Sequence, residues 1–165
     1  MKEFSDFVDA GVALLAESDN HRWQLGDLAA EFEVTVGRPD DPDAPTLKDL
    51  ADAWNVDTPR VSEWRNCSRF YPPEGRGLSL TWSHYNMVRG YFKGRDYDPT
   101  QYEQAMEILT LAVDQAFGIR ALRQYLNGTL FEGKVLVREL PERVRLFCAG
   151  SDEVWITVKR VVEDE

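Results

Sequence analysis

The sequence predicts a mainly α-helical chain with a small antiparallel β-meander at its C-terminal end, an α+β fold with a helix-turn-helix core. Three observations predict this fold. Apolar residues recur at helical spacing up to residue 126, breaker residues interrupt them at intervals, and β-branched and aromatic residues alternate with polar ones after residue 129. We therefore expect N-terminal helices over 1–37, a helix-turn-helix and helical bundle over 46–127, and a three-stranded β region over 129–165.

Two amphipathic helices are predicted in the first region. Apolar residues recur at helical spacing over Phe4–Ala16, and a second helix is expected to begin near Asn20 or His21 and to end before Val36. The acidic, proline-rich run Arg38–Pro45 follows and cannot be helical throughout. It therefore separates the first two regions as a loop or short linker.

The segment Thr46–Trp64 matches the apolar spacing of a helix-turn-helix position by position. A small residue, Ala51, stands where the two helices should cross. Asn55 occupies the place in the turn where glycine is commoner, and asparagine tolerates a left-handed backbone better than most residues. Apolar residues close the first helix, fill the turn and face inward from the second helix, namely Trp54, Val56, Val61 and Trp64.

The second helix of this segment has its own start signal and an outward polar face. Asp57 or Thr58 can cap it, and Pro59 suits its first turn. Side chains on the outward face are candidates for contact with base edges or phosphates: Thr58, Pro59, Arg60, Ser62, Glu63, Arg65, Asn66 and Arg69. An ordinary helical hairpin, which carries similar patterns, is the alternative interpretation.

Charge is unevenly distributed along the chain. The whole sequence is acidic, with 19 Lys and Arg against 29 Asp and Glu and a formal net charge of −10. Between Thr58 and Arg95, however, seven basic residues stand against two acidic ones, so this segment carries +5 and the rest of the chain −15. Such a patch would hold double-stranded DNA while the acidic remainder repels phosphate and fixes the face that approaches. Chance clustering is the alternative explanation.

Three further helices are expected after a breaker segment at Tyr71–Gly77. The first opens at a Ser79 or Ser83 cap and turns Tyr85, Val88, Tyr91 and Phe92 toward the core. A long helix then begins at Asp98 and Pro99. After a break at Phe117 and Gly118, a short helix ends at Asn127 and Gly128.

The tail changes from helical to alternating periodicity. The segments KVLVREL, RVRLFCA and EVWITVKRV predict a three-stranded antiparallel meander. A sheet this small needs a cover for its apolar face, which the helices or a second copy of the chain can supply. A homodimer through the C-terminal region is the corresponding expectation.

Several motifs occur in an order that resembles phage- and plasmid-borne helix-turn-helix DNA-binding proteins. They are W-x-L-G-D-L at Trp23–Leu28, the pair Leu50 and Ala51, the aromatic-proline end at Tyr71 and Pro72, and L-S-x-x-W-S-H-Y at Leu78–Tyr85. More loosely, the layout over Trp23–Leu126 is similar to the central domain of ParB-type partition proteins. The resemblance implies sequence-specific DNA binding through a recognition helix over Thr58–Asn66. The sequence lacks the nucleotide-hydrolysing box of arginines of ParB-type proteins, which argues against a full partition role.

Little in the sequence favours catalysis, a metal or a cofactor. The histidines are His21 and His84, and His84 suits a cap or a packed position at a helix start. The segment Gly75–Gly77 lacks the framework of a phosphate-binding loop. The two cysteines fit no metal or redox spacing, and no apolar run approaches a membrane span or a secretory signal. We expect a cytoplasmic protein, nucleoid-associated when bound, that is not an enzyme and has no cofactor or metal.

Three classes of function are consistent with the sequence. The first is a small phage, plasmid or bacterial regulator that reads a palindromic or repeated DNA site as a dimer. The second is a non-catalytic protein whose acidic surface binds a protein partner or imitates nucleic acid, with the helical core as its scaffold. The third, a small enzyme with carboxylate chemistry, has the least support.

Overall fold

The computed structural model describes residues 2–17, 21–37, 41, 43–136 and 152–159. The fold is mainly helical, and the chain divides into two compact units, Met1–Ala116 and Phe117–Glu165. The first unit contains helices α1 (Phe4–Glu17), α2 (Arg22–Thr35), α3 (Leu47–Ala53), α4 (Thr58–Phe70), α5 (Trp82–Phe92) and α6 (Pro99–Asp114), with a 3-10 turn at Pro73–Arg76. The second unit contains helix α7 (Ile119–Leu126) and strands β1 (Thr129–Leu136) and β2 (Glu153–Lys159).

The first four helices share one apolar core. It is built from side chains that the helical spacing places inward, namely Phe7, Leu25, Ala29, Phe32, Leu50, Ala51, Trp54, Val61 and Trp64. The Phe7 and Phe32 rings meet edge to face with their centroids 5.7 Å apart. The buried Trp54 Nε1–H donates to the Phe7 carbonyl at 3.2 Å, so the polar edge of this indole is satisfied inside the core.

A cluster of aromatic rings joins the end of α4 to α5 and α6. The Tyr71 ring packs edge to face on Phe70 and Tyr85, at centroid distances of 4.7 and 5.1 Å. The Tyr71 hydroxyl donates to the Tyr85 carbonyl at 3.2 Å. Burial raises the pKa of Tyr71 and raises the pKa of the nearby Cys67 thiol to about 12. These groups therefore stay neutral and serve packing.

Most helix ends lie where the sequence predicts them. Helix α2 ends at Thr35, and Asp98 caps α6 by accepting from the Gln101 amide at 2.8 Å. In the second unit α7 ends at Leu126 with Asn127 as its C-cap, and Gly128 follows with a left-handed φ of 69°. These boundaries depend on local capping chemistry, which adjacent residues encode.

Three details of helix ends and faces differ from the prediction. The cap of α5 is Thr81 and neither Ser79 nor Ser83, because Thr81 immediately precedes the helix and its Oγ1 lies 2.8 Å from His84 Nδ1. Tyr91, expected in the core, is 56% exposed. Asp57 is the N-cap residue of α4, but its side chain makes no capping hydrogen bond.

The β region differs from a simple meander. Strands β1 and β2 pair directly in antiparallel register, with Val135 opposite Val154 and Lys134 opposite Trp155. A three-stranded meander would place the middle segment, residues 143–149, between them. That segment lies outside the described residues, so the antiparallel pair stands and the meander is not confirmed. Within the described ranges, no helix is both long and apolar enough to cross a bilayer.

Candidate nucleic-acid interface

Helices α3 and α4 are joined by a four-residue turn whose geometry the sequence anticipates. Asn55 has a left-handed φ of 55°, and the Val56 amide donates to the Ala51 carbonyl at 3.0 Å. Thr46 and Asp49 bond reciprocally at the start of α3, forming a capping box. Of the predicted inward residues, Trp54, Val61 and Trp64 are between 0% and 6% exposed, as is Ala51, whereas Val56 in the turn is half-buried. The predicted turn and its apolar face are therefore present.

Helix α4 also packs closely on α2, which the sequence does not indicate. Gly26 of α2 leaves room for the α4 backbone, because a Cβ built on Gly26 would lie 2.5 Å from the Trp64 carbonyl oxygen. The Ser68 hydroxyl donates to the Trp23 carbonyl at 3.2 Å. Both contacts fix α4 against α2 and so determine which side of α4 faces outward.

The eight predicted contact residues on α4 divide into two groups by exposure. Exposed to solvent are Pro59, Arg60, Glu63 and Arg69. Half-buried are Thr58, Ser62, Arg65 and Asn66. Only part of the predicted outward face is thus exposed to solvent.

Arg65 joins two of the other half-buried residues, Ser62 and Asn66, in one hydrogen-bonded network. Its Nη2 donates to Ser62 Oγ at 3.3 Å and to Asn66 Oδ1 at 2.9 Å, and its Nε donates to the same Asn66 oxygen at 3.2 Å. Its Nη1 forms an ion pair with Glu33 of α2. The Arg65 side chain is only 17% exposed. Its guanidinium is therefore already committed within the protein.

Two more arginines of the basic segment are also neutralised by acidic residues. Arg69 pairs with Glu33 at 2.8 Å and with Asp96 at 2.6 Å. Arg76 makes two parallel hydrogen bonds to the Asp27 carboxylate at 2.7 and 2.8 Å, and its guanidinium lies over the Trp23 ring at 4.4 Å. The positive segment of the sequence is thus partly cancelled in the folded chain.

The sequence pattern does not reveal the role of these carboxylates of α2. Asp27 lies 49 residues from Arg76, and Glu33 lies 32 residues from Arg65 and 36 from Arg69. No local spacing rule links partners so far apart. The W-x-L-G-D-L motif does contain Asp27, but nothing in its sequence identifies the cation that it binds.

Three exposed cations of the segment have no acidic partner among the described residues. Arg60, Lys93 and Arg95 form no ion pair with any residue that the structure describes. The last two lie in the α5–α6 loop, which contacts the end of α4: Gly94 packs on the Phe70 ring, and Asp96 pairs with Arg69. Exposed positive charge therefore lies near both ends of α4.

In the described parts of the chain, no three residues of the types His, Cys, Asp or Glu are grouped closely enough to hold a metal ion. His84 Nδ1 belongs to the Thr81 cap.

Comparisons with protein-family models, with curated proteins and with solved structures found no match to this chain.

Proposed function

We propose that this chain is a sequence-specific DNA-binding protein in which α3, the turn and α4 act as a helix-turn-helix, with α4 as the recognition helix. The turn at Asn55 carries this proposal, because it lets α3 and α4 bury one shared apolar face while the first turn of α4 stays accessible. In helix-turn-helix proteins, the N-terminal residues of the second helix contact base edges in the major groove. Here those residues are Thr58, Pro59 and Arg60.

The exposed cations support a helix that lies between two rows of phosphates. Arg60 is near the start of α4, whereas Lys93 and Arg95 lie in the loop that contacts Phe70 at its end. Arg60 and Phe70 are about 15 Å apart along the axis at the usual helical rise, close to the major-groove width of about 12 Å. Cations at both ends of α4 can therefore bind phosphates on both sides of the groove.

The biological role that fits this interface is a small phage, plasmid or bacterial regulator. It acts in the cytoplasm, associates with the nucleoid when bound, and catalyses no reaction. As a homodimer it places one α4 in each half of a palindromic site, about 34 Å apart. The order of sequence motifs that resembles phage- and plasmid-borne DNA-binding proteins supports this role.

The test is selection of binding sites from a pool of random duplexes, followed by fluorescence anisotropy at fixed salt. We expect one enriched motif, and we expect Arg60→Gln to weaken binding to it by roughly 5- to 150-fold if the guanidinium reads a base. Lys48→Gln is the matched control, since Lys48 is an exposed cation of α3 that pairs with Asp52. No enriched motif, or equal affinity for the parent and Arg60→Gln, contradicts the proposal.

A second candidate is a non-catalytic protein whose acidic surface binds a basic partner or imitates DNA. It is favoured by the neutralisation of Arg65, Arg69 and Arg76 in a chain of net charge −10. The salt dependence of DNA retention separates the two functions. A DNA reader loses affinity linearly on a logarithmic scale as salt rises, whereas an acidic interaction protein does not retain DNA even at low salt.

A further inference from the structure

A cavity of about 510 Å³ lies between four helices of the first unit. This volume is within the range of about 300–1,000 Å³ that is typical of small-molecule sites. Residues of α1, α2, the turn, α4 and α5 line it. Its apolar walls are Leu15, Leu25, Val56, Trp64 and Trp82.

Among the residues that the structure describes, two arginines and one glutamate are the charged groups that line this cavity. Arg22 lies over the Trp82 ring at 5.2 Å and donates to Ser83 Oγ at 3.5 Å. Neither Arg22 nor Arg60 pairs with an acidic residue in the described ranges. The Glu63 carboxylate accepts from Asn86 Nδ2 at 2.8 Å. The described part of the lining therefore carries one net positive charge.

One hydrogen-bond donor of the lining residues is unused. Trp82 Nε1 is buried and has no acceptor among the residues that the structure describes. A buried donor without a partner costs free energy. The described lining of the cavity thus combines two tryptophans with two arginines that have no acidic partner, and one of these tryptophans has an unsatisfied N–H.

We infer that this cavity binds a small planar aromatic carboxylate. The ring of such a ligand fits between apolar walls that include Trp64 and Trp82, and its carboxylate complements Arg22 and Arg60. A neutral ring would lose the ion pairs, and an aliphatic dicarboxylate would leave the apolar walls unfilled. The charge and the aromatic residues of the described lining therefore favour this class.

Such a ligand would also act on the DNA-binding surface, a consequence that rests on the proposed function. Val56 belongs to the turn before α4, and Arg60 is the exposed cation at its first turn. A carboxylate bound to Arg60 withdraws that cation from DNA. The ligand therefore weakens DNA binding, and by linkage DNA weakens ligand binding by the same factor.

Binding is measured on the full chain without DNA, so that its result is independent of the proposed function. Naphthoate is titrated up to millimolar concentration while proton–nitrogen correlation spectra follow the tryptophan indole N–H signals. Trp82→Phe assigns the Trp82 signal. We expect naphthoate to shift this signal saturably, and we expect the neutral amide of the same ring, naphthamide, to bind more weakly.

Three single substitutions test the assignment of the charges. Arg22→Gln and Arg60→Gln should each weaken naphthoate binding about tenfold, as loss of one charge-assisted hydrogen bond predicts. Glu63→Gln should strengthen it, because the carboxylate that opposes the ligand is removed. Lys48→Gln should leave it unchanged. Circular dichroism confirms that each variant is folded.

Two results overturn the inference. The first is no saturable shift of the Trp82 signal with naphthoate in the parent chain. The second is equal binding of naphthoate and naphthamide, which would show that the arginines do not select an anion. If naphthoate binds as expected but leaves DNA affinity unchanged, the regulatory consequence is wrong and the site stands.

Discussion

Gly26 of α2 lies directly against the main chain of Trp64 in α4. A Cβ at this position would be 2.5 Å from the Trp64 carbonyl oxygen and 2.9 Å from the carbonyl carbon. Backbone atoms of a packed helix cannot move away as the tip of a flexible side chain can. The contact between α2 and α4, and with it the placement of the proposed recognition helix, therefore requires glycine.

The first prediction follows from this contact. Gly26→Ala should lower the free energy of unfolding by about 1–3 kcal/mol, the usual cost of overpacking, although alanine is the better helix former. Gly90→Ala is the control, because Gly90 is an exposed residue of α5 with nothing near the added methyl group. The control should gain about 0.5–1 kcal/mol. Urea denaturation measures the free energy of unfolding of both variants. Equal effects of the two substitutions would contradict the close contact between α2 and α4.

The second prediction concerns Trp64, which is 6% exposed in the core shared by α3 and α4. Trp64→Ala should cost roughly 3–5 kcal/mol, as expected for removal of a large buried aromatic side chain. Val34→Ala serves as a control, since Val34 is 83% exposed on α2 and should change stability by less than about 0.5 kcal/mol. Thermal melting compares the stability of the two variants with that of the parent. A Trp64→Ala protein that melts within a few degrees of the parent would refute the placement of α4.

The third prediction is that the Glu33 carboxylate weakens DNA binding, and it rests on the proposed function. Glu33→Gln removes the carboxylate that Arg65 and Arg69 share. Arg69 keeps its pair with Asp96, so Arg65 is the cation that becomes available to phosphate. DNA affinity should rise, and the slope of log K against log salt should steepen by about 1. Glu31→Gln on the same helix, which breaks the pair with Lys2, is the control. Parallel slopes for the two variants would argue against a role for Glu33.

The fourth prediction concerns the Cys67 thiol, whose pKa burial raises from 9.0 to about 12. At pH 8 roughly one in ten thousand folded chains carries the thiolate, against roughly one in ten unfolded chains. In a Cys148→Ser background, reaction with a disulfide reagent should therefore be slow until urea unfolds the chain. Fast reaction of the native protein would show that Cys67 is accessible.

The same shift predicts the direction of a pH effect on stability. The unfolded chain releases the Cys67 proton near pH 9, whereas the folded chain retains it until about pH 12. Unfolding is therefore favoured as pH rises through this window. Cys67→Ala should flatten that part of the stability profile.

The fifth prediction concerns assembly. We propose that the chain forms a homodimer through the C-terminal region, where Trp155 of β2 is 63% exposed. Trp155→Glu should convert the dimer to monomer, whereas Val34→Glu should not. Sedimentation equilibrium at micromolar concentration measures this. A monomeric parent chain, or an equal effect of both substitutions, would rule out this interface.

The sequence alone determined the helical elements and the turn between α3 and α4. Their signals are local: apolar side chains at helical spacing, the caps Thr46 and Asp98, and an asparagine at the one turn position that needs a left-handed backbone. Adjacent residues suffice for these choices, because hydrogen bonds and caps within a helix connect neighbours along the chain. The inward positions of Val61 and Trp64 follow from the same periodicity.

Only the tertiary structure decided which charges remain exposed and how the strands pair. Asp27 neutralises Arg76, and Glu33 neutralises Arg65 and Arg69, because α2 lies beside α4. The direct pairing of β1 with β2 likewise joins segments that are distant in sequence. Ion pairs and strand pairs depend on distance in space, which no residue spacing encodes. The cations exposed on the proposed DNA surface are therefore a property of the packed helices.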